Sequence, residues 1–102
     1  MQTEVSIAAG GLATLRLLGR FDFNAHRTFR GVIDSTVADP QVTGLQDDLG
    51  GVEYLDSSAL GMLLILRDKM EAARKNLSLI NCRGSVRQVL DIANFGKLFS
   101  IL

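Results

Sequence analysis

The sequence is poor in the residue types that commonly build catalytic and metal sites. Its 102 residues include one cysteine, one histidine and no tryptophan. The lone Cys82 cannot form an internal disulfide, and one cysteine with one histidine cannot supply a zinc ligand set. Eleven basic residues balance eleven acidic ones, so no excess positive charge attracts nucleic acid. We therefore predict no metal, no cofactor and no nucleic-acid partner, and favour a protein partner or a small ligand.

Long apolar runs are also missing. The longest, Leu60 to Leu66, is far shorter than the roughly 18 to 20 residues of a membrane span. The N-terminus carries Glu4 and lacks the basic-then-apolar order of a secretory signal peptide. We therefore expect a cytoplasmic protein without membrane insertion. Its size, with 47% apolar and 22% charged residues, predicts one globular domain over residues 1–102.

The apolar spacing predicts strands that alternate with helices. Residues 3–17 alternate around a Gly10-Gly11 turn, which is typical of a β-hairpin. Apolar residues then recur every three or four positions in three segments. These predicted helices cover residues 24–38, 57–74 and 86–93, and further strands are predicted at 42–49 and 77–80. The pattern predicts an α/β fold with a mixed sheet and helices packed on it.

Three segments need separate predictions. The strand at 42–49 contains Gln46, Asp47 and Asp48, so we expect it to be short or poorly buried. Gly50-Gly51 fits no phosphate-loop or dinucleotide motif and is interpreted as a turn. The C-terminal stretch is expected to dock on the core through Phe95, Leu98, Phe99 and Leu102.

The helix predicted from Ser57 has two different sides when projected at about 100° per residue. One side is apolar throughout and should face the sheet: Ala59, Met62, Leu63, Leu66, Met70 and Ala73. On the other side, Leu60, Gly61 and Leu64 form an apolar patch beneath Ser57. Such a patch is typical of a docking site, or it is covered by another helix. The projection leaves both interpretations open.

Asp56, Ser57 and Ser58 precede this helix and are all good capping residues. One of them caps the helix, and the simplest interpretation makes the others ordinary loop residues. Three in a row leave hydroxyls to spare, however. A spare serine at a helix N-terminus is well placed to carry phosphate, because free N–H groups and the helix dipole favour an anion there.

The segment from Tyr54 to Gly61 resembles the D-S-S-G-L-G motif of STAS domains, in which the serine directly after the aspartate is the phosphoacceptor. Ser57 occupies that position, and Ala59 replaces the usual glycine. Residues 19–22 resemble the family's G-x-L-D motif. Residues 81–99 are similar to its strand-loop-helix ending, so the resemblance covers nearly the whole chain.

The resemblance implies a STAS fold with a mixed four- to five-stranded sheet and a switch of the anti-sigma-factor-antagonist type. Unphosphorylated, such a protein binds an anti-sigma factor or a serine kinase of the GHKL type. Phosphorylation of Ser57 would release that partner, and a PP2C-like phosphatase would reset the switch. The implied partner-binding residues are Asp22, Asp56, Ser58, Leu60, Gly61 and Leu64.

Two alternatives compete with the switch. An enzyme is disfavoured because His26 lies within a predicted helix as a surface residue and no G-x-S-x-G surrounds Ser57. A non-switching STAS subunit or scaffold of a transporter complex, which could bind a nucleotide, is the stronger alternative, since fold alone does not separate it from the switch.

Overall fold

The chain opens with a β-hairpin, as its alternating pattern predicts. The computed structural model describes all 102 residues and pairs β1 (Gln2–Ile7) with β2 (Leu12–Phe21) in antiparallel register. Gly10 and Gly11 form the turn with φ of 89° and 91°, which favours glycine. The Gly11 N–H donates to the Ala8 carbonyl at 3.0 Å, which closes the turn.

The remaining elements alternate between helix and strand. They are a 3-10 turn (Phe23–Ala25), α1 (His26–Ala38), β3 (Gly44–Leu55), α2 (Ser57–Ala72), β4 (Asn76–Ile80), α3 (Gly84–Ile92), a second 3-10 turn (Phe95–Lys97) and β5 (Ser100–Ile101). The strands lie in the order β1-β2-β3-β4-β5, and every pair after the first is parallel. The predicted α/β fold with a mixed sheet of four to five strands is confirmed, and the sheet has five.

This strand order decides where the helices lie. Parallel strands that follow one another along the sheet are joined by right-handed crossovers, so their helices fall on the same face. A single cluster of 22 buried apolar residues lies between that face and the helices. The predicted apolar side of α2 is buried from Ala59 to Met70, and Ala73 is half-buried beyond the end of the helix. No helix is long and apolar enough to cross a membrane.

The central strand β3 corrects two predictions. It runs for 12 residues, from Gly44 to Leu55, instead of ending near Leu49, and Gly50-Gly51 lies inside it instead of forming a turn. A Cβ on Gly51 would lie 2.4 Å from Leu18 Cδ2 and 3.0 Å from the Leu17 carbonyl oxygen, so any larger residue would require the Leu18 side chain to move and β2 to shift slightly. The register between the strands shifts at this point, between Arg16 and Leu18.

Burial of β3 also differs from the prediction. Leu45, Asp47 and Leu49 are all buried, so the polar residues do not expose the strand. Asp47 stands opposite Leu15 of β2 and Leu79 of β4, and neither of its carboxylate oxygens has a hydrogen-bond partner. Burial raises the pKa of the Asp47 carboxyl to about 8, with a smaller contribution from the negative charge of Asp48.

The C-terminal tail docks only in part as predicted. Phe95 and Phe99 are buried and stack with ring centroids 5.1 Å apart. Leu98 and Leu102 are exposed, which corrects the prediction for these two residues. The Phe99 N–H donates to the Phe95 carbonyl at 2.8 Å, and this four-residue spacing puts both phenylalanines on the core side and leaves Leu98 outside. Leu102 contributes its backbone, since its N–H donates to the Leu79 carbonyl at 2.8 Å.

Candidate functional site

Ser57 is the first residue of α2, directly after the end of β3, and its side chain is exposed. The helix is capped by Asp56, whose Oδ1 accepts a hydrogen bond from the Ala59 N–H at 2.9 Å. Ser58 is half-buried. Because Asp56 alone provides the cap, both serine hydroxyls are left without a capping role.

Asp22 lies beside Asp56, where the carboxyl ends of two neighbouring strands meet. The strands β2 and β3 are parallel and end together at Phe21 and Leu55, and the Asp56 N–H donates to the Phe21 carbonyl at 3.3 Å. Asp22 caps the first 3-10 turn, because its Oδ1 accepts from the Asn24 N–H at 3.0 Å. The structure thus brings together the two aspartates that the sequence singled out, and it gives each of them a capping bond.

Three further residues at these strand ends, Arg20, Tyr54 and Phe23, were not predicted as site residues from the sequence. The Arg20 guanidinium lies 4.3 Å from the centroid of the Tyr54 ring, a cation–π contact on exposed surface. Phe23 follows Asp22, is 70% exposed and stacks on His26, which is exposed as predicted. Exposed aromatic residues and arginine are enriched at protein interfaces. Tyr54 is close to Ser57 in the sequence, but only the adjacent ends of β2 and β3 bring Arg20 and Phe23 to the same end of the sheet, so no local sequence pattern could have found these two.

The patch predicted beneath Ser57 is smaller than the helical projection suggests. Leu60 and Leu64 are half-buried and pack against the core cluster. Gly61 is exposed, and a Cβ placed on it would meet no atom within 4 Å. Ile65, one turn further along, is exposed and extends the surface toward α1. The surface beneath Ser57 is therefore a shallow, partly apolar strip of Leu60, Gly61 and Leu64, extended by Ile65. It is neither a fully exposed docking patch nor a patch that another helix covers completely.

Two other polar features bear on the chemistry of the molecule. Burial raises the pKa of the Cys82 thiol to about 11, with a smaller contribution from Asp47, so the thiol is protonated near neutral pH. The structure contains no group of three or more His, Cys, Asp and Glu side chains that could hold a metal ion. Ser57 therefore has an exposed hydroxyl at a helix N-terminus, without catalytic or metal-ligating side chains assembled around it.

The capping role of Asp56 gives a direct prediction. Asp56→Ala is expected to lower the free energy of unfolding by about 1 kcal/mol, because the first turn of α2 loses its side-chain cap. Ser58→Ala is the matched control and should change stability little, since Ser58 does not cap. Urea unfolding followed by circular dichroism measures both. An equal loss in the two variants would contradict the assignment of the cap to Asp56.

Comparison with known proteins identifies the family. The sequence model of the STAS domain matches residues 5–102. The chain belongs to the STAS domain family. A STAS-domain containing protein of Pseudomonas aeruginosa is 43% identical over 99 residues, which cover 97% of this chain and 96% of that protein. An anti-sigma F factor antagonist of Lysinibacillus sphaericus is 25% identical over 96 residues, covering 94% and 82%.

Solved STAS structures share the fold. The anti-sigma factor antagonist SpoIIAA in its unphosphorylated form superposes with a TM-score of 0.82 at 22% identity, over 99% of this chain and 88% of that one. Its phosphorylated form from Bacillus gives a TM-score of 0.75 at 21% identity, over 99% and 91%. A sulfate transporter family protein from Wolinella succinogenes gives 0.75 at 17% identity, over 90% and 73%. These likenesses establish the STAS fold.

Proposed function

We propose that this STAS protein is a phosphorylation-controlled interaction switch, which binds a regulator while Ser57 is unmodified and releases it when Ser57 carries phosphate. The observation that carries the proposal is the exposed Ser57 at the start of α2, with the cap supplied by its neighbour Asp56. The hydroxyl is free for modification. The helix end that holds it favours an anion, so the fold can stay intact when phosphate is added.

The effect of phosphate would be exerted at the surface. A phosphoserine adds about −1.5 to −2 charges and three strong acceptor oxygens. On this surface it would stand near two carboxylates, Asp22 and Asp56, and next to the partly apolar strip of Leu60, Gly61 and Leu64. A partner that covers the strip would have to bury this charge. An unpaired buried charge costs several kcal/mol, which is enough to abolish a transient complex.

The partners proposed for the switch follow the family. They are an anti-sigma factor or a serine kinase of the GHKL type, with a PP2C-like phosphatase to remove the phosphate. One relative is named as an anti-sigma F factor antagonist, and one structural neighbour has been solved in a phosphorylated form. Arg20, Tyr54 and Phe23 enlarge the surface on which such a partner would dock. No enzymatic activity is proposed for the chain itself.

Substitutions at Ser57 test this function. Ser57→Ala is expected to bind the partner as tightly as the unmodified protein, whereas Ser57→Asp should bind about 10- to 100-fold more weakly because it adds one charge to the interface. Both variants are used to recover partners from a lysate of the native organism, and the affinity for each recovered regulator is then measured by calorimetry. Mass spectrometry of the wild type maps the phosphate.

Ser85→Asp is the matched control, because it adds the same charge on an exposed serine in the first turn of another helix, α3, outside the proposed binding surface. Phosphate at Ser57 and a loss of binding only in Ser57→Asp would support the switch. Phosphate found only on Ser58 would move the acceptor by one residue. Equal affinities for Ser57→Ala and Ser57→Asp would contradict the proposed mechanism.

A non-switching subunit of a transporter complex is the second candidate function. It is favoured by the structural likeness to a sulfate transporter family protein. Under this alternative the lysate experiment would recover the same membrane transporter with Ser57→Ala and Ser57→Asp, and the wild type would carry no phosphate.

A further inference from the structure

Strand β1 is an open edge of the sheet, and its backbone is available to another strand. β1 pairs only with β2, and the Ala8 N–H donates to the Leu12 carbonyl at 2.9 Å. Backbone groups of successive residues in a strand point to opposite sides. Ser6, Glu4 and Gln2 therefore bond to β2, as Ala8 does. The N–H and C=O groups of Thr3, Val5 and Ile7 point outward, away from the sheet.

The side chains of this edge are apolar on the side of the helices. Val5 is 48% exposed and Ile7 is 45% exposed. They line a groove of about 480 Å³ between β1 and α1, together with Val32 and Val42. Edge strands are usually protected from pairing by lysine, proline or a bulge. β1 contains none of these, and its single charge, Glu4, lies on the opposite face, 3.8 Å from Arg16.

We propose that β1 pairs antiparallel with β1 of a second copy of this chain, about a two-fold axis that passes through Val5. In this register Val5 stands opposite the second Val5, and Thr3 opposite the second Ile7. All three outward-facing residues of each strand then find outward-facing partners, which forms three pairs and about six backbone hydrogen bonds. The same surface serves on both copies, as a two-fold interface requires.

Side-chain charges favour this register over its neighbours. With the axis at Val5, Glu4 stands opposite Ser6 of the second copy. A register centred on Glu4 would instead place two carboxylates opposite each other, which is destabilising. Backbone pairing disfavours the registers centred on Thr3, Ser6 or Ile7, because each would leave part of the outward backbone without a partner within the strands.

The groove itself is complementary to a second copy. Arg27, at the start of α1, lies toward the Gln2 end of β1, because α1 follows the end of β2 and Leu18 pairs with Gln2. Asp39, just after α1, lies toward the Ile7 end. An antiparallel arrangement brings the Arg27 end of one groove beside the Asp39 end of the other, so opposite charges face each other across the two-fold axis.

The interface does not use Ser57. Ser57 begins the helix that follows β3, and β3 lies two strands away from β1 in the sheet. Since neighbouring strands are about 4.8 Å apart, the edge of β1 is well separated from Ser57. The pairing is therefore independent of the proposed switch.

The oligomeric state tests the pairing. Light scattering on the full chain from micromolar to millimolar concentration is expected to show a species with twice the 11.1 kDa chain mass. Val5→Arg, which places a charge in the apolar part of the interface, should weaken association at least about 10-fold. Ser6→Arg is the matched control on the other face of the same strand and should keep the dimer. A monomer throughout, or a dimer that persists in Val5→Arg, would overturn the proposal.

Cross-linking tests the register. In a Cys82→Ser background, Val5→Cys should form a disulfide-linked dimer under mild oxidation, because directly paired Cα atoms are about 5.5 Å apart, within disulfide range. In this register position 4 stands opposite position 6 of the second copy, so two cysteines at position 4 are not directly paired. Glu4→Cys should therefore cross-link at least about 10-fold more slowly. Faster cross-linking through position 4 would overturn the register. Circular dichroism checks that each variant is folded. If the chain is a monomer and β1 instead pairs with a strand of a different protein, the proposed pairing with a second copy is overturned.

Discussion

At pH 8, the free energy of unfolding of Asp47→Leu is expected to be about 2 to 4 kcal/mol higher than that of the unmodified protein. Asp47 is fully buried between leucines of the neighbouring strands and has no hydrogen-bond partner. Ionising it there leaves a charge without compensation. Leucine removes the charge and matches the residues on either side of it on the same face of β3, Leu45 and Leu49.

The same carboxyl makes stability depend on pH. The pKa of Asp47 is 3.8 when unperturbed and about 8 in the folded protein. Between these values the folded state holds a proton that the unfolded state has released, so the free energy of unfolding falls as pH rises. The contribution is fully present below about pH 4, is lost progressively up to about pH 8, and then stays constant. Asp47→Leu should lack this component.

Urea unfolding at pH 5 and at pH 8 measures the effect. We expect the gain from Asp47→Leu to be larger at pH 8 than at pH 5. Asp48→Asn is the control, because Asp48 lies next in the chain but is half-buried and accepts a hydrogen bond from the Gly50 N–H at 2.9 Å. Identical differences between Asp47→Leu and the unmodified protein at both pH values would show that the buried carboxyl does not titrate in this range.

Gly11→Ala is expected to lower the free energy of unfolding by about 3 kcal/mol or more. A Cβ at this position would lie 2.4 Å from the Gln41 carbonyl oxygen and 2.9 Å from Thr43. The first contact is with backbone, so it cannot be relieved by a side-chain rotation. The φ of 91° adds strain for any residue with a Cβ.

Gly10→Ala separates the two causes. Gly10 has almost the same φ, 89°, but nothing lies within 4 Å of a Cβ placed on it. We expect it to lose only about 1 to 2 kcal/mol, the cost of the backbone conformation. Thermal and urea unfolding of both variants measure the difference. Equal losses would mean that the hairpin turn moves away from Gln41 at little cost.

Local patterns were sufficient to predict most of the fold. The hairpin, the three helices and the order of elements follow from spacing within about fifteen residues, because the side-chain period is a property of each element alone. Ser57 was proposed as the phosphoacceptor from the resemblance of a short motif to that of STAS domains, because capping alone left it an ordinary loop residue. Its position next to Asp22 became visible only with the register of β2 and β3, which is not a local property.

The errors have non-local causes. Gly50-Gly51 looks like a turn in sequence, but both glycines lie inside β3, and the second one stands against Leu17 and Leu18 of another strand. Asp47 looks like a surface residue, but it belongs to a strand that is buried by its neighbours on both sides. Leu98 and Leu102 look like core residues, but Leu98 lies on the outer side of the turn before β5, and Leu102 lies beyond β5 and is bound through its backbone.

The strand order of the sheet has a consequence for synthesis of the protein. Each strand lies beside the strand that precedes it in the chain, from β1 to β5. A strand that leaves the ribosome therefore finds its pairing edge already made, and none has to wait for a later segment to be inserted between two earlier ones. The sheet can grow in the direction of translation, one crossover at a time, and it is completed when its fifth strand, Ser100–Ile101, pairs beside β4.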